Sequence, residues 1–175
     1  MIIERLLGLF DDELSNCDRI LDVGTGTGMI IPILEKRYPR AEIISIDLAF
    51  EMLIRAGSRV KDTELVQADV HKAPFPIGTF NAVICHGSFP HFRDKEATLR
   101  EFKRLSKPYS QLLIIHDNGR EKINDIHRHA DARLLHKDIL PDGKTLARLV
   151  VKAGYKVDTI SDDVDKFIVH GHLPG

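Results

Sequence analysis

Residues 20–30 read ILDVGTGTGMI. An apolar run ends in an acid, three glycines alternate with other residues, and apolar residues then resume. A short apolar run before glycines is the mark of a buried parallel strand entering a strand–turn–helix unit. Glycine lets the backbone take otherwise strained turns and lets a ligand come close. The helix start that follows offers unpaired N–H groups. The pyrophosphate-binding version of this turn is spaced G-x-G-x-x-G. Here the spacing is G-x-G-x-G, with Gly24, Gly26 and Gly28, and Met29 stands where that third glycine would be. Asp22 lies two residues before the first glycine. A carboxylate there repels a pyrophosphate and attracts an ammonium group.

The rest of the chain alternates extended and helical patterns. Apolar runs predict strands over 19–23, 42–46, 63–68, 82–85 and 111–115, and helical spacing predicts helices over 28–38, 49–60, 94–105 and 145–153. Asp142 is a candidate N-cap and Gly154 a candidate C′ residue for the last of these. The N-terminal stretch MIIERLLGLFDDEL reads as a short amphipathic helix broken by charges, neither a signal peptide nor a membrane span. The tail reads as two strands joined by an acidic turn, which must pair antiparallel. Together these patterns predict an α/β fold: a Rossmann-like, doubly wound, mostly parallel sheet of seven strands with a C-terminal antiparallel hairpin. The length of 175 residues suits a single domain over 1–175. Between the fifth strand and the last helix lies an excursion over 117–144, longer than the usual connection. Part of it, about 121–130, looks helical. Its place at the carboxyl end of a strand predicts a lid over a substrate.

The formal net charge is −1, so neither nucleic acid nor an anionic membrane is an implied partner. Cys17 and Cys85 are far apart and form no CxxC, which fits a cytoplasmic protein. Cys85 reads as a buried small residue rather than a nucleophile.

Taken together, LDVGTGTG, IISIDLAFEML, VQADVHKAPFPIGTFNAVICHGSFPHF and LREFKRLSKPYSQLLII resemble the motifs of the class I S-adenosylmethionine-dependent methyltransferases, of the small single-domain kind. The likeness runs from about Cys17 to Ile115 and returns in the final hairpin. At Ser110 this chain departs from a frequent glycine of the family. The resemblance implies a methyltransferase with S-adenosyl-L-methionine as cofactor, held by the loop of Gly24, Thr25, Gly26 and Gly28. It implies that Asp22 faces the methionine end, that Asp69 meets the adenine amino group, and that Val70 offers a backbone N–H beside it. Asp47 lies about 20 residues past the loop, the distance of an acid that accepts from ribose hydroxyls. Leu48 and Met52 are placed to pack against an adenine face. The plainer alternatives are that Asp47 caps a helix, that Asp69 is a loop or cap residue, and that Met52 is core.

Methyl transfer from a sulfonium needs an aligned acceptor and, where the acceptor is protonated, a base. Histidine titrates near neutral pH and suits that role. His116 after the fifth strand and His86 after the fourth are the catalytic candidates, and His86 is also expected among the cofactor-binding residues. In many family members a histidine stands in a bend at the position of His91, where it reads as structural. The excursion adds His127, His129 and His136. His127 and Asp131 are four apart on a helical pattern and with His116 or His86 could hold a metal, but no tight ligand motif is present and none is expected. CHGSFPH replaces the Asn/Asp-Pro-Pro-aromatic motif used on planar amino groups. The expectation is methyl transfer to a small-molecule acceptor by a monomer or homodimer. The alternatives are a catalytically silent cofactor-binding or scaffold protein of the same fold, and an NAD(P)-dependent reductase, which lacks its third glycine and its Tyr-x-x-x-Lys.

Overall fold

The computed structural model describes residues 2–60, 62–129 and 138–175. Seven strands form one sheet: β1 Arg19–Val23, β2 Glu42–Asp47, β3 Glu64–Gln67, β4 Phe80–His86, β5 Ser106–His116, β6 Lys156–Asp162 and β7 Phe167–His172. Their order is β3-β2-β1-β4-β5-β7-β6. The first five run parallel, and β7 lies antiparallel between β5 and β6. This is the predicted doubly wound sheet with its hairpin return. The order reverses between β1 and β4, so the crevice at the carboxyl ends opens beside the glycine loop.

The helices are α1 Ile2–Leu7, α2 Asp11–Leu14, α3 Ile31–Arg37, α4 Phe50–Gly57, α5 Lys95–Leu105, α6 Arg120–His129 and α7 Gly143–Lys152. Two apolar cores cover the two faces of the sheet. One holds Leu21, Val23, Cys85, Ile114 and the buried stripe of α5, Leu99, Phe102 and Leu105. The other holds Ile20, Ile84, Leu113 and Ile115 under Leu7, Phe10 and Leu14 of the N-terminal segment. That segment, expected as one short helix, is two, with a 3-10 turn at Gly8–Phe10 between α1 and α2. Asp142 accepts from Thr145 N, and Gly154 takes φ +105, so both ends of α7 form as read.

Two boundaries differ from expectation. The helix expected over 28–38 begins only at Ile31, because Gly28 sits at φ +76 and cannot join a right-handed turn. β5 begins at Ser106, directly after α5, although Lys107 and Pro108 read as a turn. Near Ser110 the residue in the left-handed region is Tyr109, at φ +63 and largely exposed. Part of the excursion is described: α6 and the segment from Asp138 onward. Asn124 binds Leu140 both ways, donating to its carbonyl at 3.1 Å and accepting from its N–H at 2.9 Å. Asp131, His136 and the end of the helix expected to Ala130 lie outside the described residues. No helix among the described residues is long and apolar enough to cross a membrane.

Candidate active site

The glycine loop is fastened at both ends. Gly24 N and Thr25 N donate to Ile46 O of β2 at 2.8 and 3.1 Å. At Gly28 a Cβ would come within 2.9 Å of Ala56 Cβ, so this glycine admits α4. Gly26, at φ +55, is different: a Cβ there would meet no atom within 4 Å. Its N–H donates to Asp47 Oδ2 at 2.8 Å, while Ala49 N donates to Asp47 Oδ1 at 2.8 Å. One carboxylate at the end of β2 thus joins the loop to the start of α4. It both braces the helix start and stands at the crevice.

Beside it lies a cavity of about 300 Å³. Gly24, Asp47, Leu48, Asp69 and Val70, all read from the sequence, form its wall. Leu48 is 69% exposed at the rim. His71, His91, Phe92 and Arg93 complete the wall and were not among the expected cofactor residues. Asp69 also caps a 3-10 turn at Val70–Lys72, accepting from His71 N at 2.9 Å. That bond, then the His71 ring at 2.8 Å, holds the Asp69 carboxyl below the usual carboxylate range. Asp22 lies beneath the loop, almost fully buried, and accepts from Ser45 Oγ at 3.0 Å. Burial pushes its carboxyl up to about 6, with hydrogen bonding from Thr25 and then Ser45 opposing and the charge of Asp47 adding. Met52 is half-buried on α4, outside this wall.

A model of the methyltransferase domain family matches residues 21–114, more than half of the chain. The chain belongs to the class I S-adenosylmethionine-dependent methyltransferase family. A demethylmenaquinone methyltransferase of Thermotoga maritima is 35% identical over 57% of this chain and 44% of its own length. A ubiquinone/menaquinone biosynthesis C-methyltransferase of Syntrophotalea carbinolica is 32% identical over 63% of this chain and 48% of its own. The chain spans about half the length of these curated relatives. A crystal structure of a SAM-dependent methyltransferase from Aquifex aeolicus shares the fold, with TM-score 0.78 and 24% identity over 97% of this chain and 88% of that one.

The family's cofactor fits the residues present. The open side of Gly26 admits a close ligand, and Asp47 and Asp69 present acceptors to one cavity.

The two histidine candidates follow adjacent strands and point to opposite faces. His86 pairs in register with Ile115. It shares the strand face of Ile84, as His116 shares that of Ile114, and those isoleucines belong to different cores. His86 Nε2 is enclosed without a hydrogen-bond partner, 4.0 Å from Asp117 Oδ1. Burial lowers its pKa, and Asp117 opposes this. His116 is almost fully buried, its ring edge-on to Phe167 at 5.9 Å, and its Nε2 also lacks a partner. Neither belongs to the wall of the cofactor cavity. His91 stands in the 3-10 bend at Phe89–His91 and bonds Asp138 Oδ2 at 2.8 Å. Its ring lies 4.9 Å from that of His127, which bonds the Asp138 carbonyl. His129 is exposed and bonds Asp125 O at 2.8 Å. Among the described residues no three His, Cys, Asp or Glu side chains converge as a metal site requires. Cys85 is fully buried, and burial pushes its thiol up to about 12, which leaves it inert.

His116 makes acid stability a test of this packing. Burial first, then the charges of His86, His91 and His127, push its pKa down to about 3, against an ordinary 6.5. Between those values the unfolded chain holds more protons, so stability is full above pH 6.5 and falls as pH drops toward 3. Asp22 acts oppositely: raised from 3.8 to about 6, it stabilises the fold below 3.8 and loses that contribution as pH rises to 6. The histidine shift is the larger. His116→Gln is therefore expected to flatten the acid loss of stability, read as urea midpoints between pH 4 and 7. An unchanged pH slope contradicts the burial argument.

Proposed function

We propose that this chain transfers the methyl group of S-adenosylmethionine to a small-molecule acceptor held under the 117–144 segment. The observation that carries the reading is the cavity at the carboxyl ends of β1, β2 and β3, where Gly24, Asp47, Leu48, Asp69 and Val70 share one wall. In this reading Asp47 accepts from the ribose hydroxyls, Asp69 and Val70 meet the adenine edge, Leu48 covers its face, and Asp22 attracts the ammonium end. The bound cofactor supplies a methyl group already activated on a sulfonium. The residues here would align an acceptor with that methyl group and take the acceptor's proton.

The base is a histidine. His86 is the better proton acceptor of the two, because Asp117 at 4.0 Å stabilises an imidazolium there, while nothing of opposite charge offsets the burial of His116. His116, neutral and buried on the opposite face, takes no part in the proton transfer in this reading. The cover is docked on the cofactor wall through the bond between Asp138 and His91. The relatives' names, which describe methylation of small quinone-type molecules, support a small acceptor.

Calorimetry with S-adenosylmethionine and S-adenosylhomocysteine tests the donor, and labelled methyl transfer to small phenols, thiols and amines tests turnover. Both cofactors are expected to bind. His86→Ala is expected to lower kcat by roughly 10²–10⁴ with cofactor affinity unchanged. Failure of either cofactor to bind at high micromolar concentration sinks the proposal.

A further inference from the structure

We propose that His71 is a positioning residue for adenine recognition, orienting Asp69 so that one carboxylate oxygen is committed and the other is presented to the cofactor. The inference rests on the reading that the cavity takes S-adenosylmethionine. Two His71 groups converge on the same oxygen: its main-chain N–H at 2.9 Å and its ring Nδ1 at 2.8 Å from Asp69 Oδ1. A carboxylate only accepts, so Nδ1 carries the proton. The far side of the ring lies against the start of α5: with the proton on Nδ1, Nε2 can only accept, and its partner there is Thr98 Oγ1 at 3.2 Å, while Asp94 O at 3.3 Å is itself an acceptor. Thr98 Oγ1 in turn reaches Asp94 O at 2.9 Å. The ring therefore spans from the N-terminal end of α5 to the carboxylate, and both His71 and Asp69 lie on the cavity wall.

Such an arrangement does more than cap the turn. The main-chain bond alone serves the 3-10 turn at Val70–Lys72. The ring bond adds a second, off-axis restraint, which stops the carboxylate rotating about its Cβ–Cγ bond. Oδ2 is then held at a fixed angle to the cavity. An exocyclic amino group donates to it; a ring carbonyl in the same place repels it. The ring thereby converts a flexible acid into a discriminator between adenosyl and deaminated ligands.

The test compares S-adenosylhomocysteine with S-inosylhomocysteine by calorimetry on the full chain, its His71→Ala variant and its His71→Asn variant. Wild type is expected to prefer the adenosyl ligand by about tenfold or more, the worth of one charge-assisted hydrogen bond. His71→Ala is expected to weaken the adenosyl ligand several-fold, leave the inosyl ligand nearly unchanged, and so collapse the preference. His71→Asn, whose amide N–H stands where Nδ1–H stood, is expected to restore most of it. A circular-dichroism melt confirms that each variant is folded. The proposal is overturned where His71→Ala keeps the wild-type preference or weakens both ligands equally. Absence of S-adenosylhomocysteine binding to wild type overturns the cofactor reading instead, and this one with it.

Discussion

Gly24→Ala is expected to destabilise the fold by roughly 2–5 kcal/mol, a loss in melting temperature on the order of 10 °C. Two causes add. The residue sits at φ +68, where a side chain costs about 1–2 kcal/mol. The new methyl would also stand 2.4 Å from Ser88 Cβ and 2.5 Å from Ser88 Oγ. Ser88 cannot simply turn away, because its hydroxyl donates to Val23 O at 2.7 Å and lies 3.1 Å from buried Cys85 Sγ. Pushing it out breaks a buried bond at the point where β1 and β4 deliver their ends to the crevice. A double-mutant cycle with Ser88→Gly separates the causes. The double variant is expected to recover the steric part and retain the backbone part; strict additivity would remove Ser88 from the explanation. Gly26→Ala is the contrast within the same loop. Its Cβ meets nothing, so the fold is expected to lose only about 1 kcal/mol, while on the proposed reading cofactor affinity falls.

The loop was legible because its constraints are local. Three glycines at that spacing, an acid before them and Asp47 after the next strand all follow from one strand–turn–helix unit. Strand alternation was legible for a similar reason: Ile43, Ile44 and Ile46 lie in a strand covered on both faces, so the run is apolar throughout. What was not legible depends on register and on loops far apart in the chain. His86 and His116 each end an apolar run, and nothing in either run says which residue of one strand stands beside which of the other. The pairing of His86 with Ile115 sets them on opposite faces. His71 was missed although it lies two residues after Asp69, because its ring acts through Thr98 of α5, more than 20 positions away. Phe92 and Arg93 reach the wall only through the bend after β4. The early start of β5 was hidden by Pro108. There the chain keeps its partner through Tyr109, whose left-handed backbone lets its N–H reach Leu173 O at 2.9 Å while Leu173 N returns to Ser110 O at 2.9 Å.

Asp47→Ala is expected to reduce affinity for S-adenosylhomocysteine by about 10²–10³ and to cost the fold about 2 kcal/mol. The substitution strips the partners from two N–H groups at once, those of Gly26 and Ala49, and on the proposed reading also deletes the acceptor for the ribose hydroxyls. Asp47 does not cap α4, whose N-cap is Ala49 with no side-chain bond, so the two roles to compare are a brace for the loop and a contact to the cofactor. They still differ in what each predicts. A residue that only braced the loop would, when lost, weaken binding in proportion to the lost order of Gly26, and added cofactor would restore the melting temperature by the ordinary mass-action amount. A residue that also contacts the ribose loses affinity beyond that. Asp47→Asn sharpens the comparison. Its amide nitrogen cannot accept, so one of the two N–H groups faces a donor whichever way the amide turns. Stability is then expected to fall about as far as in Asp47→Ala, while the remaining oxygen preserves part of the affinity. Calorimetry of S-adenosylhomocysteine binding beside urea unfolding of the free protein reads both quantities. Affinity that stays at the wild-type level in Asp47→Ala, with stability alone reduced, would assign the carboxylate to the loop and remove it from the cofactor.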